Sequence, residues 1–275
     1  TEKMDDQITI DIIFIIYVLL WFYGRYWRRK VAKYANEAAH FAPYYYQRCH
    51  LSRIAVMAGN SEACNIYQFE NIDNFEDQQP LRPFYIGDVR AIFYGYYFPS
   101  RFAEEINQGQ LEFCHTLFQF KDGETTGVDF FKTCLQQLCI DGNYLIMFMP
   151  CSNYFKYYRR FNSLNWYINK HCPKLTSGFT KIDIYEERES LHNMKGAKNR
   201  VLERNYRIKE NLGGRNIIII DDVLTTGKSV LDYKSELEAH GGHVVAAMFY
   251  GKTVRKPKVY RVRWRVWSNF LLHRR

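Results

Sequence analysis

The apolar positions of this chain fall into blocks whose spacing changes from one block to the next. From 12 to 23 no charged or small polar residue occurs, and Arg25, Arg28, Arg29 and Lys30 follow at once. This predicts a helix that is apolar on every side, continued by the more polar stretch 29–42 and stopped by Pro43. The stretch 65–83 is polar and acidic and ends in two prolines, so it reads as a linker or surface excursion. Beyond it, 85–92 and 102–106 are predicted as two helices bracketing a turn at Pro99. A helix over 128–139 then leads into an apolar strand over 144–149, and an aromatic, basic helix carries Lys156, Arg159 and Arg160. Four consecutive isoleucines at 217–220 are β-branched and too few for an independent helix, so they predict a strand buried on both faces, as in a parallel sheet. A helical pattern runs from Ser229 to Ala239. Finally, Tyr260, Val262, Trp264 and Val266 alternate with Arg261, Arg263 and Arg265, a period of two that predicts a strand with three arginines on one face. Together these elements predict the α/β class.

The chemistry concentrates behind the isoleucines, in the run Asp221-Asp222-Val223-Leu224-Thr225-Thr226-Gly227-Lys228-Ser229. A strand that passes through such a turn into a helix presents unpaired backbone N–H groups and the positive end of a helix dipole, which together attract phosphate. Thr225, Thr226 and Ser229 add hydroxyl donors. Asp221 and Asp222 can accept hydrogen bonds from a vicinal diol, so the combination describes a ribose 5-phosphate. Gly227-Lys228-Ser229 also ends a Walker A loop, but that loop needs glycine where this chain has Asp222, and a carboxylate there would repel a triphosphate. The plain alternative is a capped helix after a buried strand, with no ligand.

These residues resemble the PRPP-binding signature of the type I phosphoribosyltransferases: two acids, then Thr-Thr-Gly and a small residue. Lys228 departs from the family's usual small residue. Within the family the chain is most similar to the competence-protein F branch, through 150–162 with Arg160-Phe161-Asn162, the polar stretch 188–206, and the nucleotide-loop strand. The similarity extends over 85–253 and fails upstream, where that branch often opens with a zinc ribbon. The resemblance implies a Rossmann-like parallel sheet, here with an N-terminal helical extension and a basic C-terminal tail. The expected division is an N-terminal helix over 1–42, a helical or irregular hood over 43–127, the α/β core over 128–252 and a basic aromatic tail over 253–275. It further implies that Asp221 and Asp222 hold the ribose hydroxyls and lie near a Mg²⁺ that they bind indirectly. Thr225, Thr226, Gly227, Lys228 and Ser229 would wrap the 5-phosphate. Ser152 and Asn153 would form a pyrophosphate loop after the 144–149 strand, with Arg159 and Arg160 as nearby cations; a solvated helix face is the alternative for the two arginines. The basic, glycine-containing segment 176–207 reads as a lid over pyrophosphate or as an exposed hairpin or helix. The implied reaction displaces pyrophosphate at the anomeric carbon, by transfer or hydrolysis, through an oxocarbenium-like transition state.

Charge and composition add partners to this picture. The net charge is +9, and the last 24 residues hold nine Lys and Arg without an acid. Arginine rows suit phosphate backbones and exposed aromatics suit bases, so Arg261, Arg263 and Arg265 are expected to contact RNA or DNA, unless they protect an edge strand or meet an acidic protein. With 22 Tyr and 20 Phe, more aromatics are present than a small core requires, and some are expected to face a protein partner. Residues 8–27 allow a membrane association: 8–23 gives about 24 Å of helix against roughly 30 Å of hydrocarbon, with the basic flank on the cytoplasmic side. Docking against a partner subunit is the alternative. Seven scattered cysteines without a CxxC pair fit a reducing cytoplasm better than a zinc site or a disulfide framework.

Three functions remain open on sequence alone. One is a phosphoribosyltransferase-like enzyme acting on PRPP or a related nucleotide, in the manner of an effector from an antiphage system such as a retron, held by a nucleic-acid complex. Another is a non-catalytic nucleotide sensor. The last is a competence accessory protein for DNA uptake at the membrane.

Overall fold

The computed structural model describes residues 2–140, 142–185 and 205–272, with side chains in the first helix from Phe14 onward. In chain order the elements are α1 (Glu2–Phe41), α2 (Tyr45–Met57), α3 (Ala63–Glu70), β1 (Phe84–Ile86), β2 (Val89–Tyr97), α4 (Gln108–Lys121), α5 (Val128–Leu138), β3 (Tyr144–Phe148) and α6 (Tyr154–His171). They are followed by β4 (Leu175–Ser177), β5 (Ile182–Ile184), β6 (Tyr206–Ile208), β7 (Asn216–Leu224), α7 (Lys228–Ala239), β8 (His243–Thr253) and α8 (Val259–Leu272). The chain divides into a helical unit, comprising 1–77, 100–107 and 255–275, and a sheet unit, comprising 78–99 and 108–254.

The sheet unit is built on six strands in the order β1-β2-β8-β7-β3-β4, parallel except for β1. Ile217, Ile218, Ile219 and Ile220 are fully buried at its centre, where a strand covered on both faces must be apolar at every position. In a parallel sheet, paired residues share a face. Phe148, Ile220 and Met248 are in register, and two positions on from Met248 lies Tyr250, whose ring packs against Phe120 of α4 and Phe130 of α5. Phe148 packs against Phe161 of α6. This aromatic layer fixes α4, α5 and α6 on one side of the sheet. Gly123, just past α4, has φ +74°, and a Cβ there would lie 2.2 Å from the Arg159 carbonyl oxygen, so the end of α4 closes directly on α6.

The helical unit buries Ala55, Val56, Ala63, Cys64, Tyr67, Phe75, Val262 and Val266 in one cluster. Its second anchor is polar. Buried Arg48 pairs with Glu70, and its Nη atoms donate to the carbonyls of Ala39, His40 and Glu105, which caps the end of α1. No helix among the described residues is long and apolar enough to cross a membrane.

The elements expected at 29–42, 128–139, 144–149, 217–220 and 229–239 form where the pattern places them. Four expectations need correction. The helix expected over 102–106 is absent: a single 3-10 turn, Ser100–Phe102, runs into turns over 103–105. The stretch 65–83 opens inside α3, because Ile66 and Phe69 supply a buried helical face despite the polar composition around them. The helix expected over 85–92 is instead the hairpin β1–β2, turned at Gly87 with φ +61°, and it joins the main sheet although it lies in the expected hood. The strand expected at 260–266 is helix α8. Val262 and Val266 share the buried face at helical spacing, and the continuation through Leu272 extends the 3.6 period where the alternation stops.

Candidate functional site

β3 and β7 are adjacent and parallel, with Phe148 opposite Ile220, so both carboxyl ends open at one edge of the sheet. After β3 the chain passes through Pro150, Cys151 and Ser152 into α6. Asn153 caps that helix, its Oδ1 accepting the Lys156 N–H at 2.9 Å. The Lys156 ammonium donates to Ser152 Oγ at 3.2 Å, which holds a positive charge over the same loop. After β7 the turn Thr225–Gly227 leads into α7. Two helix N-termini therefore meet the carboxyl edge at neighbouring strands, the position where open parallel sheets gather ligands.

Within the β7 turn, Thr225, Thr226, Lys228 and Ser229 are exposed while Gly227 is buried. Thr226 Oγ1 accepts the Lys228 N–H at 3.4 Å, and the hydroxyls of Thr225 and Thr253 lie 3.2 Å apart. Gly227 adopts φ +80°, and a Cβ there would approach Ile86 Cγ2 to 2.7 Å. The tight approach and the left-handed backbone both require glycine.

The two acids differ in environment. β7 extends through both, to Leu224. Asp222 is buried, and its Oδ2 lies 2.8 Å from Arg160 Nη1 and 3.4 Å from Lys121 Nζ. Arg160 Nε also donates to the Lys121 carbonyl, which ties the two cations together. Burial by itself would raise the Asp222 pKa, but the charges of Arg160 and then Lys121 overcome it and hold the group below its ordinary value. Asp221 folds back on its neighbour, Oδ1 accepting the Asp222 N–H at 2.8 Å. Desolvation, and next the Asp222 charge, raise Asp221 well above the ordinary carboxylate value. The two acids are thus pushed in opposite directions, Asp222 down by its cations and Asp221 up by burial and by its neighbour's charge. Cys151 feels both acids and both cations, yet its thiol is pushed up to about 12, mainly by burial, which disfavours the thiolate.

Of the residues expected from sequence, Asp221, Asp222 and Arg160 come together, and the loop with Ser152 and Asn153 opens at the same sheet edge as Thr225–Gly227. Arg159 does not join them; its guanidinium lies over the Phe155 ring at 5.4 Å on the exposed side of α6. A scan against protein-family models finds no match to this chain, and neither does a search of curated proteins.

Two further residues shape the site. Lys121 belongs to the stretch expected as hood, and Asn205 lies 53 positions beyond Ser152. Asn205 Nδ2 donates to the carbonyls of both Cys151 and Ser152, at 3.0 and 3.1 Å. No local pattern marks either; the only available signal was that a buried acid requires a cation. Of the expected lid, Arg207 lies on β6 and Lys181 immediately before β5, its partner in a two-stranded ribbon, while Arg188, His192, Lys195, Gly196, Lys198, Arg200 and Arg204 lie outside the described residues.

Two of the three arginines expected on a nucleic-acid strand are engaged within the helical unit. Arg263 Nη2 donates to the Gly59 carbonyl at 2.9 Å, and Arg265 donates to the Asn74 carbonyl while its guanidinium lies 5.0 Å from the centre of the Phe75 ring. Arg261 is exposed. On a helix the three do not form one row, and two of them serve the fold. Among the described residues no group of three or more His, Cys, Asp or Glu gathers as a metal site.

Proposed function

We propose that the sheet unit binds a ribose 5-phosphate of the PRPP class and belongs to the type I phosphoribosyltransferase fold. The observation that carries this reading is the shared edge of β3 and β7, which sets two helix N-termini beside a pair of acids. In this reading the open hydroxyls of Thr225, Thr226 and Ser229 and the first N–H groups of α7 take the 5-phosphate. The loop of Ser152 and Asn153, with the Lys156 ammonium, takes the pyrophosphate. Asp221 bonds a ribose hydroxyl. Asp222 acts through Arg160 and Lys121, which orient it and carry positive charge to the edge where pyrophosphate would leave.

Magnesium, which the resemblance implies, finds no open dianion at the acids. Asp222 is already paired with two cations, and burial together with the Asp222 charge pushes the Asp221 pKa up. The proposed binding therefore relies on the donors of the chain itself.

The test is calorimetric titration with PRPP and with ribose 5-phosphate, paired with an assay of pyrophosphate release. Binding of both, tighter for PRPP and weakened about tenfold or more in Thr226→Val together with Ser229→Ala, is the expected result. An unmoved heat signal with both ligands would sink the reading. A second reading, a nucleotide sensor without turnover, is favoured by the clamping of Asp222, since a carboxylate held by two cations is less free to follow a changing charge on the ribose. PRPP binding with no pyrophosphate release in the presence of magnesium and candidate acceptors would select it.

A further inference from the structure

The helical unit exposes something the sheet unit does not use. From Phe14 to Trp27, every Phe, Ile, Leu, Tyr and Trp keeps 47–66% of its surface open. Phe14, Ile15, Ile16 and Tyr17 are consecutive, and at about 100° per residue four such positions already cover about 300° of the helix circumference. Leu19 through Tyr23 repeat that coverage one turn later. A groove on another protein, or one second copy of this chain, would cover one side of such a helix. A solvent of hydrocarbon chains covers all sides.

The order of residues along the helix agrees with a lipid surface. The aliphatic and aromatic stretch from Phe14 to Leu20 lies on the N-terminal side of an aromatic band. Trp21, Tyr23, Tyr26 and Trp27 follow, the residue types that settle at the boundary of hydrocarbon and headgroups. Arg25, Arg28, Arg29 and Lys30 come at that same level. Arg25 lies 5.1 Å from the Trp21 ring centre and Lys30 lies 4.8 Å from that of Tyr26, so the cations stay beside the aromatic band. There the helix meets its own unit: Arg28 Nε donates to the Ala58 carbonyl, and Ala32 is buried. A groove at this level is lined by Arg28, Val31, Arg53, Met57 and, from α8, Trp267 and Phe270, which adds a second aromatic group and a further cation. The apolar stretch Phe14–Tyr23 rises about 15 Å, about half the hydrocarbon thickness of a bilayer.

We infer that the Phe14–Tyr23 stretch of α1 embeds in a bilayer containing anionic lipid, with the aromatic and arginine-rich turns that follow it at the headgroups. The inference is independent of the ribose-phosphate reading.

Flotation of the purified full chain through a density gradient tests it, with vesicles of phosphatidylcholine alone and with about 30% phosphatidylglycerol added. The chain is expected to rise with both, several-fold more with the anionic vesicles, and the difference should shrink in high salt. Leu19→Glu with Leu20→Glu, both at exposed positions, should abolish flotation without changing the unfolding temperature. Arg25→Glu with Arg29→Glu should retain binding and lose the anionic preference. Should the acidic variants misfold, brominated acyl chains added to wild type should quench its tryptophan emission, and Trp21→Phe should lose part of that quenching. Wild type that stays at the bottom of both gradients overturns the inference. So does a soluble oligomer that the Leu19 and Leu20 substitutions dissociate, because a second copy would then be what covers α1.

Discussion

Arg160 Nη1 lies 2.8 Å from Asp222 Oδ2, within a site where both side chains are largely enclosed. Removing one partner of a buried ion pair leaves an uncompensated charge, which costs more than the pair itself contributes. Arg160→Met should therefore destabilise the chain by about 3 kcal/mol, toward the low end of the range for such pairs because Lys121 remains. Asp222→Leu in the same chain should restore much of that loss. Urea unfolding of the two single variants and the double variant measures the coupling, and additive losses would show that the pair does not act as a unit.

The acids respond to pH in opposite senses. Asp221 is raised by desolvation and by the Asp222 charge, so the folded chain holds that proton more tightly than the unfolded chain does. Its contribution to stability is complete below about pH 4 and is lost as pH rises through the folded pKa. Asp222 is lowered, because Arg160 and Lys121 outweigh its burial. Its contribution is present above about pH 4 and is lost as pH falls through the depressed value. Asp221→Asn should then raise the unfolding temperature near neutral pH and lose that advantage toward about pH 4. Asp222→Asn should lower it near neutral pH, by an amount that shrinks in acid. Thermal scans across this range check both, and a pH-independent offset for Asp221→Asn would contradict the shift.

Much of the sheet unit was legible in the sequence, because its strongest signals are local. The isoleucines at 217–220, the turn at Thr225–Gly227 and the helices after each strand follow from side-chain branching and period alone. The environment of Asp222 was not legible, since Lys121 and Arg160 reach it from two helices, 101 and 62 positions away by their numbers. The 85–92 stretch failed for a different reason: its burial is set by β8, the strand it pairs with, so its short apolar run carried no decisive period. The family-level resemblance rests on the same local residues, which is why it speaks to the site and leaves α1 and α8 unexplained.

Gly227 offers a test of the phosphate turn that leaves every hydrogen-bonding side chain in place. Gly227→Ala meets both a left-handed backbone, costing about 1–2 kcal/mol, and the Ile86 methyl at 2.7 Å. Adding Ile86→Ala should relieve the contact and leave the backbone cost. Titration with inorganic phosphate and PRPP should show weakened binding in both variants, with stability recovering partly in the second. Unchanged phosphate affinity in a folded Gly227→Ala chain would argue that this turn is not the phosphate cradle.

Asn205, just before β6, is joined to the loop after β3 through two hydrogen bonds to backbone carbonyls. Asn205→Ala leaves those carbonyls without that donor, at about 1–3 kcal/mol for each one left unsatisfied. The expected result is faster amide exchange around Ser152 and Asn153, with exchange in β8 unaltered. Weaker pyrophosphate binding with little change for ribose 5-phosphate should accompany it. Equal loss for both ligands would instead mean that Asn205 supports the whole edge.

The arginines of α8 provide a test of the correction from strand to helix. If they formed a phosphate-binding row, Arg261→Glu, Arg263→Glu and Arg265→Glu would each reduce binding of single-stranded nucleic acid by a similar factor and leave folding alone. In the helix, Arg263 and Arg265 hold the carbonyls of Gly59 and Asn74, and a carboxylate at either position would face a carbonyl oxygen. Arg263→Glu and Arg265→Glu should therefore destabilise the helical unit by about 1–3 kcal/mol each, whereas Arg261→Glu should lie within about 0.5 kcal/mol of wild type. Limited proteolysis and thermal unfolding separate the two patterns, because three equally stable variants would be incompatible with these bonds.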